Sequence, residues 1–261
     1  MLRLQGAPGS RLSRYPRTGL WRERGVRMVM ADRPGYGRST RHPGHGLASV
    51  ADDLAQLLDH LGLEQVPVIG ISGGGPYALA LAERHPERVR RVAVVVGAAP
   101  LEEAEVDLLI GANAEVRRRV RRGGWPDVFE FLQGMRSEVL KDPLAAFRAV
   151  MQDAPAADHA VMADPEWQAV MSEGFREALR PGAEGWTDES QLLFGAWDLT
   201  PEDIQVDVTW WHGRHDANAP LAAAQRLARR LRSCELRVWE AAGHLEVYHR
   251  EPEVLADVLQ G

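Results

Sequence analysis

The twelve residues from Val66 to Tyr77, VPVIGISGGGPY, limit what this chain can fold into more than any other stretch. Val66 to Ile69 is short, apolar and unbroken, as a strand buried on both faces of a parallel sheet must be. Gly70-Ile71-Ser72-Gly73-Gly74 follows, and beyond Pro76 an Ala- and Leu-rich segment reads as a helix ending near His85-Pro86. The pattern predicts a strand, a sharp turn and a helix, with Ser72 at the apex. A serine there is held in a strained backbone conformation. The positions two before and two after must therefore be too small to clash, and Gly70 and Gly74 meet that need. Pro76 suits an early helical position, where its missing N–H costs little.

The same glycines admit other readings. Gly73 to Ala78 formally matches G-x-G-x-x-A, a dinucleotide-binding fingerprint, but the next strand ends in Val96-Gly97-Ala98 and offers no acid for a ribose. No lysine follows the glycines, which excludes a P-loop. On this stretch alone, a purely structural glycine turn stays open.

Composition bounds the rest. With 261 residues, 45% of them hydrophobic, the chain can bury a full core as one large domain with room for an inserted subdomain. A net charge of −6 argues against nucleic acid as a partner. The basic run Arg117 to Arg122 reads as a solvated helix face in so acidic a chain. No apolar run reaches transmembrane length, so no membrane partner is expected. Cys234 is the single cysteine, which rules out an internal disulfide and fits a reducing, cytoplasmic location. Lys141 is the only lysine, which we read as coding bias. The first 22 residues are rich in Arg and Ser and lack acids, as in a transit peptide. However, Met1 to Leu4 reads as a strand and Gly6 to Ser10 as a tight loop, so the segment is expected to belong to the domain.

Taken in order, Arg11 to Arg24 is expected to be a helix stopped by Gly25, and Val26 to Ala31 a strand. Asp32 to Ser39, DRPGYGRS, carries the punctuation of a turn beside a sheet end. Ser49 to Leu61 predicts an amphipathic helix capped by Ser49, with Asp52 three residues on and Gly62 at its end. Its core face is Val50, Leu54, Leu57, Leu58 and Leu61. After the Ser72 turn and its helix comes a strand from Val92 to Val96. Residues 101–204 then show no strand-like run and read as short helices broken by Gly and Pro, a helical cap between a first core part (1–100) and a second (205–261). This stretch holds Trp125, Trp167, Trp186 and Trp197 with Phe129, Phe131, Met135, Met171, Phe175 and Phe194. Most of these are expected to be cap core and roughly a third to face a ligand pocket. The sheet pattern resumes with Val206 to Trp211, a helix from Pro220 to about Leu231, a strand from Glu235 to Glu240 and a last helix near Pro252. Alternating strands and helices predict an α/β fold, a mostly parallel sheet with helices on both faces.

Ligands of such sheets bind beyond the carboxyl ends of the strands. Three of those ends carry Ser72, Asp216 and His244, in the serine, acid, histidine order of one known catalytic arrangement. A serine hydroxyl is a poor nucleophile at neutral pH and needs an adjacent base. The base in turn needs an acid to fix its tautomer and stabilise its imidazolium.

At this point the chain resembles the α/β-hydrolase fold superfamily over nearly its whole length. The resemblance rests on GAPGS (Gly6 to Ser10), DRPGYGRS, GISGG (Gly70 to Gly74), HGRHDANAP (His212 to Pro220) and GHL (Gly243 to Leu245). It implies Ser72 as nucleophile, Asp216 as acid and His244 as base. It also implies an oxyanion hole from the backbone N–H groups of Ala7 and Gly73, and a helical cap that selects the substrate. Two departures stand out. The family usually has His-Gly where this chain has Gln5-Gly6, so the supports of the oxyanion loop must differ. It also normally has two strands before the one at Met1, which leaves Val26 to Ala31 as a bare sheet edge. Such an edge invites pairing with another chain, so the chain is expected to be dimeric, aggregation-prone or poorly stable, with a homodimer through the edge as one form.

His212, His215 and Asp216 make poor metal ligands as a group, and neither metal nor cofactor is expected. His215 as base, and Glu102 or Glu103 as acid, are the alternatives within the site. The expected function is hydrolysis of a carboxylic ester, thioester or lactone of a small apolar molecule through an acyl-serine. Acyl transfer, carbon–carbon bond hydrolysis and a non-catalytic binder on the same fold are the alternatives. Relatives that open epoxides or remove halogen use a carboxylate where Ser72 stands, which disfavours those reactions.

Overall fold

Short apolar runs build the centre of the molecule. In the computed structural model, which describes residues 1–260, one parallel sheet is formed in chain order by β1 (Leu2–Leu4), β2 (Val66–Ile71), β3 (Val89–Val95), β4 (Val208–Gly213) and β5 (Cys234–Trp239). Before β2 come α1 (Gly19–Glu23) and α2 (Leu47–His60), and α3 (Gly75–Arg84) follows the serine turn. Between β3 and β4 the chain makes no strand. It runs through α4 (Glu103–Val106), α5 (Gly111–Arg122), α6 (Gly124–Lys141), α7 (Pro143–Val150), α8 (Ala156–Met162), α9 (Pro165–Ala178) and α10 (Glu184–Leu193). Then α11 (Leu221–Ala228) separates β4 from β5, and α12 (Val247–Val258) closes the chain.

Successive side chains of a strand point to opposite faces, so each strand feeds two cores. Val92, Val94 and Trp210 pack with Leu2, Leu4 and Val68 under α2, α3 and α11. Ala93, Val95 and Trp211 pack with Ile69 and Ile71 against α12, with Leu20 and Trp21 of α1 at the margin. The helical block centres two further cores, one around Val128, Leu132 and Leu179 that takes in Tyr36 and one around Met151, Trp167 and Met171 that takes in Leu245. Its last stretch belongs to the sheet: Ile204 is buried in the first core, and Trp197 packs against it. No helix among the described residues is long and apolar enough to cross a membrane.

Four local expectations are corrected. Arg11 to Arg24 is helical only over Gly19–Glu23, because the stretch before it is spent on contacts: Arg11 pairs with Asp32 and Glu177, and Arg14 with Glu173. The α2 helix starts at Leu47 after Gly46, and Ser49 acts one turn inside, its hydroxyl accepting the Gly46 N–H at 3.0 Å. Asp52 pairs with Arg84 and His85 instead. Val26 to Ala31 is no regular strand; only Val29 bridges to β1, exchanging bonds of 2.9 and 2.8 Å with Arg3 and Met1. β1 is three residues long and offers too short a ladder for more. Finally, α12 begins at Val247 and carries Pro252 within it.

Candidate active site

The turn after β2 is built as its glycines require. Ser72 takes φ of 51°, a left-handed value that costs a non-glycine residue strain. A Cβ on Gly70 would lie 2.7 Å from the Gly74 carbonyl oxygen and 2.8 Å from Ala78 Cβ. One on Gly74 would run into the Leu4 carbonyl oxygen of β1. Gly70 therefore permits the turn itself, whereas Gly74 permits the turn to seat on the neighbouring strand.

β4 and β5 lie beyond β3 from this turn, but in a parallel sheet their carboxyl ends face the same side as it does. Their following loops bring Asp216 and His244 to it across 144 and 172 residues of sequence from Ser72. His244 Nε2 lies 3.0 Å from Ser72 Oγ, and its Nδ1 lies 2.8 Å from Asp216 Oδ2. The other Asp216 oxygen accepts the Asn218 and Ala219 N–H groups at 2.9 and 2.8 Å. Asp216 is an acceptor on both oxygens, so the His244 proton sits on Nδ1 and the bare Nε2 faces the serine hydroxyl. For Asp216, burial works against ionisation, but the His244 charge and hydrogen bond outweigh it and hold the carboxyl below the usual range. For His244, burial works against the cation, but the Asp216 charge and hydrogen bond, with Asp158 beyond, hold the imidazole above its ordinary value.

The alternative residues lie elsewhere. His212 is buried and committed: its Nε2–H donates to the Ala219 carbonyl at 2.7 Å and its Nδ1 accepts the Trp210 indole N–H at 3.1 Å. Burial keeps it neutral despite Asp216. His215 is exposed, Glu103 pairs with Arg121, and Glu102 with Arg226. Among the described residues no group of three potential ligands is placed to hold a metal ion.

Ala7 and Gly73 meet beside Ser72. A Cβ on Gly73 would lie 3.2 Å from the Ala7 nitrogen, and one on Gly6 would lie 3.2 Å from Ser72 Cβ. Two cavities open from this point, sharing Ala7, Ser72, Asn113, Trp186 and Asn218. The larger holds about 150 Å³ and the smaller about 60 Å³. Trp167, Trp186, Met135, Met171 and Phe175 line the larger one, which is half of the ten aromatic and methionine residues singled out in the helical stretch. Phe194 lines the smaller. Trp125 stacks on Phe129 at 4.8 Å, and Phe131 packs in the helical block.

Sequence reasoning missed Asp158. This buried side chain of α8 accepts the backbone N–H groups of His244 at 3.0 Å and Leu245 at 2.8 Å. A Cβ on Gly243 would collide with its carboxylate, so the glycine of GHL is there to admit it. Burial pushes its own carboxyl up. Phe147, Val150 and Met151, which line the larger cavity from α7 and just beyond it, were missed as well. No local pattern marks these residues.

A model of the alpha/beta hydrolase fold family matches residues 2–248. The 2-hydroxymuconate semialdehyde hydrolase of Pseudomonas putida is 32% identical over 234 residues, 86% of this chain and 73% of that protein. A match to the uncharacterized hydrolase YcgS of Bacillus subtilis (strain 168) is 45% identical but spans 67 residues, 26% of this chain and 24% of that protein. Among solved structures, the enol-lactonase from Burkholderia xenovorans LB400 superposes with a TM-score of 0.70 at 20% identity, covering 100% of this chain and 90% of that one.

Proposed function

The chain belongs to the alpha/beta hydrolase family, and on that premise we propose that it is a serine hydrolase cleaving a carboxylic ester, thioester or lactone through an acyl-serine on Ser72. The observation that carries this reading is the unbroken relay from Ser72 Oγ through His244 to Asp216, at 3.0 and 2.8 Å, opening into a mostly apolar cavity. As Ser72 Oγ attacks the acyl carbon, His244 Nε2 takes its proton and the carbonyl oxygen becomes an oxyanion. The Ala7 and Gly73 N–H groups are the donors to that oxygen. Collapse expels the alcohol, thiol or ring oxygen, which receives the proton from His244. Water then repeats the sequence on the acyl-serine and returns the free enzyme and the acid. Helices α4–α10 serve as the cap, and the apolar wall they supply favours a small apolar acyl group.

A second reading is carbon–carbon bond hydrolysis with the same residues. It is favoured by the relative whose name gives 2-hydroxymuconate semialdehyde as substrate, a molecule with no ester, thioester or amide to cleave. Product analysis on activated esters, lactones and vinylogous diketones separates the two. Both require Ser72. Ser72→Ala should abolish labelling by a fluorophosphonate and remove turnover on the order of a million-fold, as loss of the nucleophile does in other triads. Persistence of the label or of turnover in this variant would end both readings.

A further inference from the structure

The loop that carries Ala7 is held from outside the relay, and Gln5 does not hold it. The Gln5 amide donates to the Ala31 carbonyl at 2.9 Å, and its Oε1 is buried without a partner. The grip comes from Arg33. Its Nη1 donates to the Gln5 carbonyl at 2.6 Å and its Nη2 to the Gly6 carbonyl at 3.0 Å. A trans peptide group directs its C=O and its N–H in opposite directions. Anchoring the Gly6 carbonyl on Arg33 therefore aims the Ala7 N–H the other way, and the Ala7 nitrogen lies 3.2 Å from where a Cβ on Gly73 would stand.

Arg33 is itself fixed from the helical insertion. Its Nε and Nη2 donate to the two oxygens of Glu189 on α10, at 2.5 and 3.2 Å, and both side chains are about 2% exposed or less. The Tyr36 hydroxyl donates to the same carboxylate at 2.8 Å, and the guanidinium lies 5.1 Å from the Tyr77 ring centre. One helical turn before Glu189, Gly185 meets Gly35 so closely that a Cβ on either would lie about 2.6 Å from the other's backbone. That approach is what lets Glu189 reach Arg33. A pair buried this deeply is weak grounds for stability, since apolar residues of like volume often serve as well. Apolar residues could not supply a fork of N–H donors to two loop carbonyls.

We propose that Arg33, held by Glu189, is a positioning residue for the oxyanion hole, orienting the Gly6–Ala7 peptide before substrate arrives. The proposal rests on the acyl-serine reading. It also couples the hole to the seating of α10, so that the donor is in place only when this helix is docked.

The test compares Arg33→Lys and Glu189→Gln with the wild type, using an activated ester, a fluorophosphonate and a trifluoromethyl ketone that forms a tetrahedral adduct. One ammonium cannot span two carbonyls and a carboxylate. In Arg33→Lys, kcat should fall by about a hundred-fold, the scale of losing one oxyanion donor. Affinity for the ketone should fall in parallel, while KM and the apparent pKa of the pH–rate profile stay unchanged, because His244 and Asp216 are untouched. Glu189→Gln should show the same signature at about ten-fold. A kcat within two-fold of wild type, a loss carried by KM, or a shifted pH profile in folded variants would overturn the proposal. If neither variant folds, the crystal structure of the wild-type ketone adduct decides. The Gly6 carbonyl must remain on Arg33 with the Ala7 N–H on the adduct oxygen, and a flipped peptide would overturn it. Without wild-type labelling of Ser72 the acyl-serine reading falls and the positioning role with it. Intact labelling with unaffected variants removes the positioning role alone.

Discussion

His244 carries the pH dependence of the proposed chemistry. Burial pulls its pKa down, but Asp216 and Asp158 raise it further, to a net value above the ordinary one. The base must be neutral to accept the Ser72 proton. kcat/KM should therefore rise with pH and reach half its plateau above about 6.5; a midpoint well below that value would contradict the assignment. The stability sign differs between the partners. The raised His244 pKa contributes stability that is complete below about 6.5 and is lost as pH rises through the folded value. The lowered Asp216 pKa contributes stability present above about 3.9 and lost as pH falls through its folded value. Asp216→Asn can keep its two backbone bonds through Oδ1, but its amide N–H would face His244 Nδ1 and move the ring proton to Nε2. We expect a loss of roughly ten-thousand-fold in kcat from that tautomer change, against about a million-fold for His244→Ala. Full activity in Asp216→Asn with collapse in Glu102→Gln would move the acid to the other strand.

Among the elements, α5, α6, α7 and α9 would set how much substrate the proposed site admits. They line the larger cavity with Met135, Phe147, Trp167, Met171 and Phe175, and Phe147 touches both Trp167 and Phe175 with ring centres at 5.5 and 5.6 Å. Across esters of one alcohol, kcat/KM should improve with acyl length by about 1–3 kcal/mol or less per methylene until the cavity fills. Phe147→Ala should shift that limit to longer chains. Competition assays with a graded ester series would show it; a preference for sugar or charged esters over all acyl esters would defeat the apolar-pocket reading. The neighbour of these helices, α8, reaches the relay through Asp158, which ties down the backbone of the histidine loop. The insertion is thus part of the relay's frame as well as a wall of the cavity beside it.

For the whole molecule, the first strand is fastened to the last helix. Arg3 of β1 bonds Glu251 of α12 at 3.0 Å with both side chains about 2% exposed or less, and Trp21 of α1 donates to the second Glu251 oxygen at 3.2 Å. Removing one charge leaves the other buried alone. Arg3→Met should therefore cost about 3–5 kcal/mol in urea unfolding, and Arg3→Met with Glu251→Leu should recover most of it. A double variant no more stable than the single one would mean that the Ser13 carbonyl and Trp21, the other partners of this pair, dominate the network.

What the sequence determined by itself was what short-range sterics and strand order constrain. Gly70 and Gly74 frame Ser72 because a sharp turn tolerates no side chain there, and that constraint is local. Asp216 and His244 could be read because each follows a strand, and parallel strands bring their carboxyl ends to one side. One helix start and one whole strand were not legible: helix-forming residues near Arg11 were drawn into ion pairs, and Val26 to Ala31 found too short a neighbour to form a ladder. What only the tertiary structure decided lies between residues with no periodic relation. Asp158 meets the His244 backbone across 86 residues, and Arg33 meets Glu189 across 156. A carboxylate on a helix reads as a surface charge until packing buries it. The docking of α8 and α10 turned these two into supports, since a buried charge must find its donors in whatever the fold brings alongside.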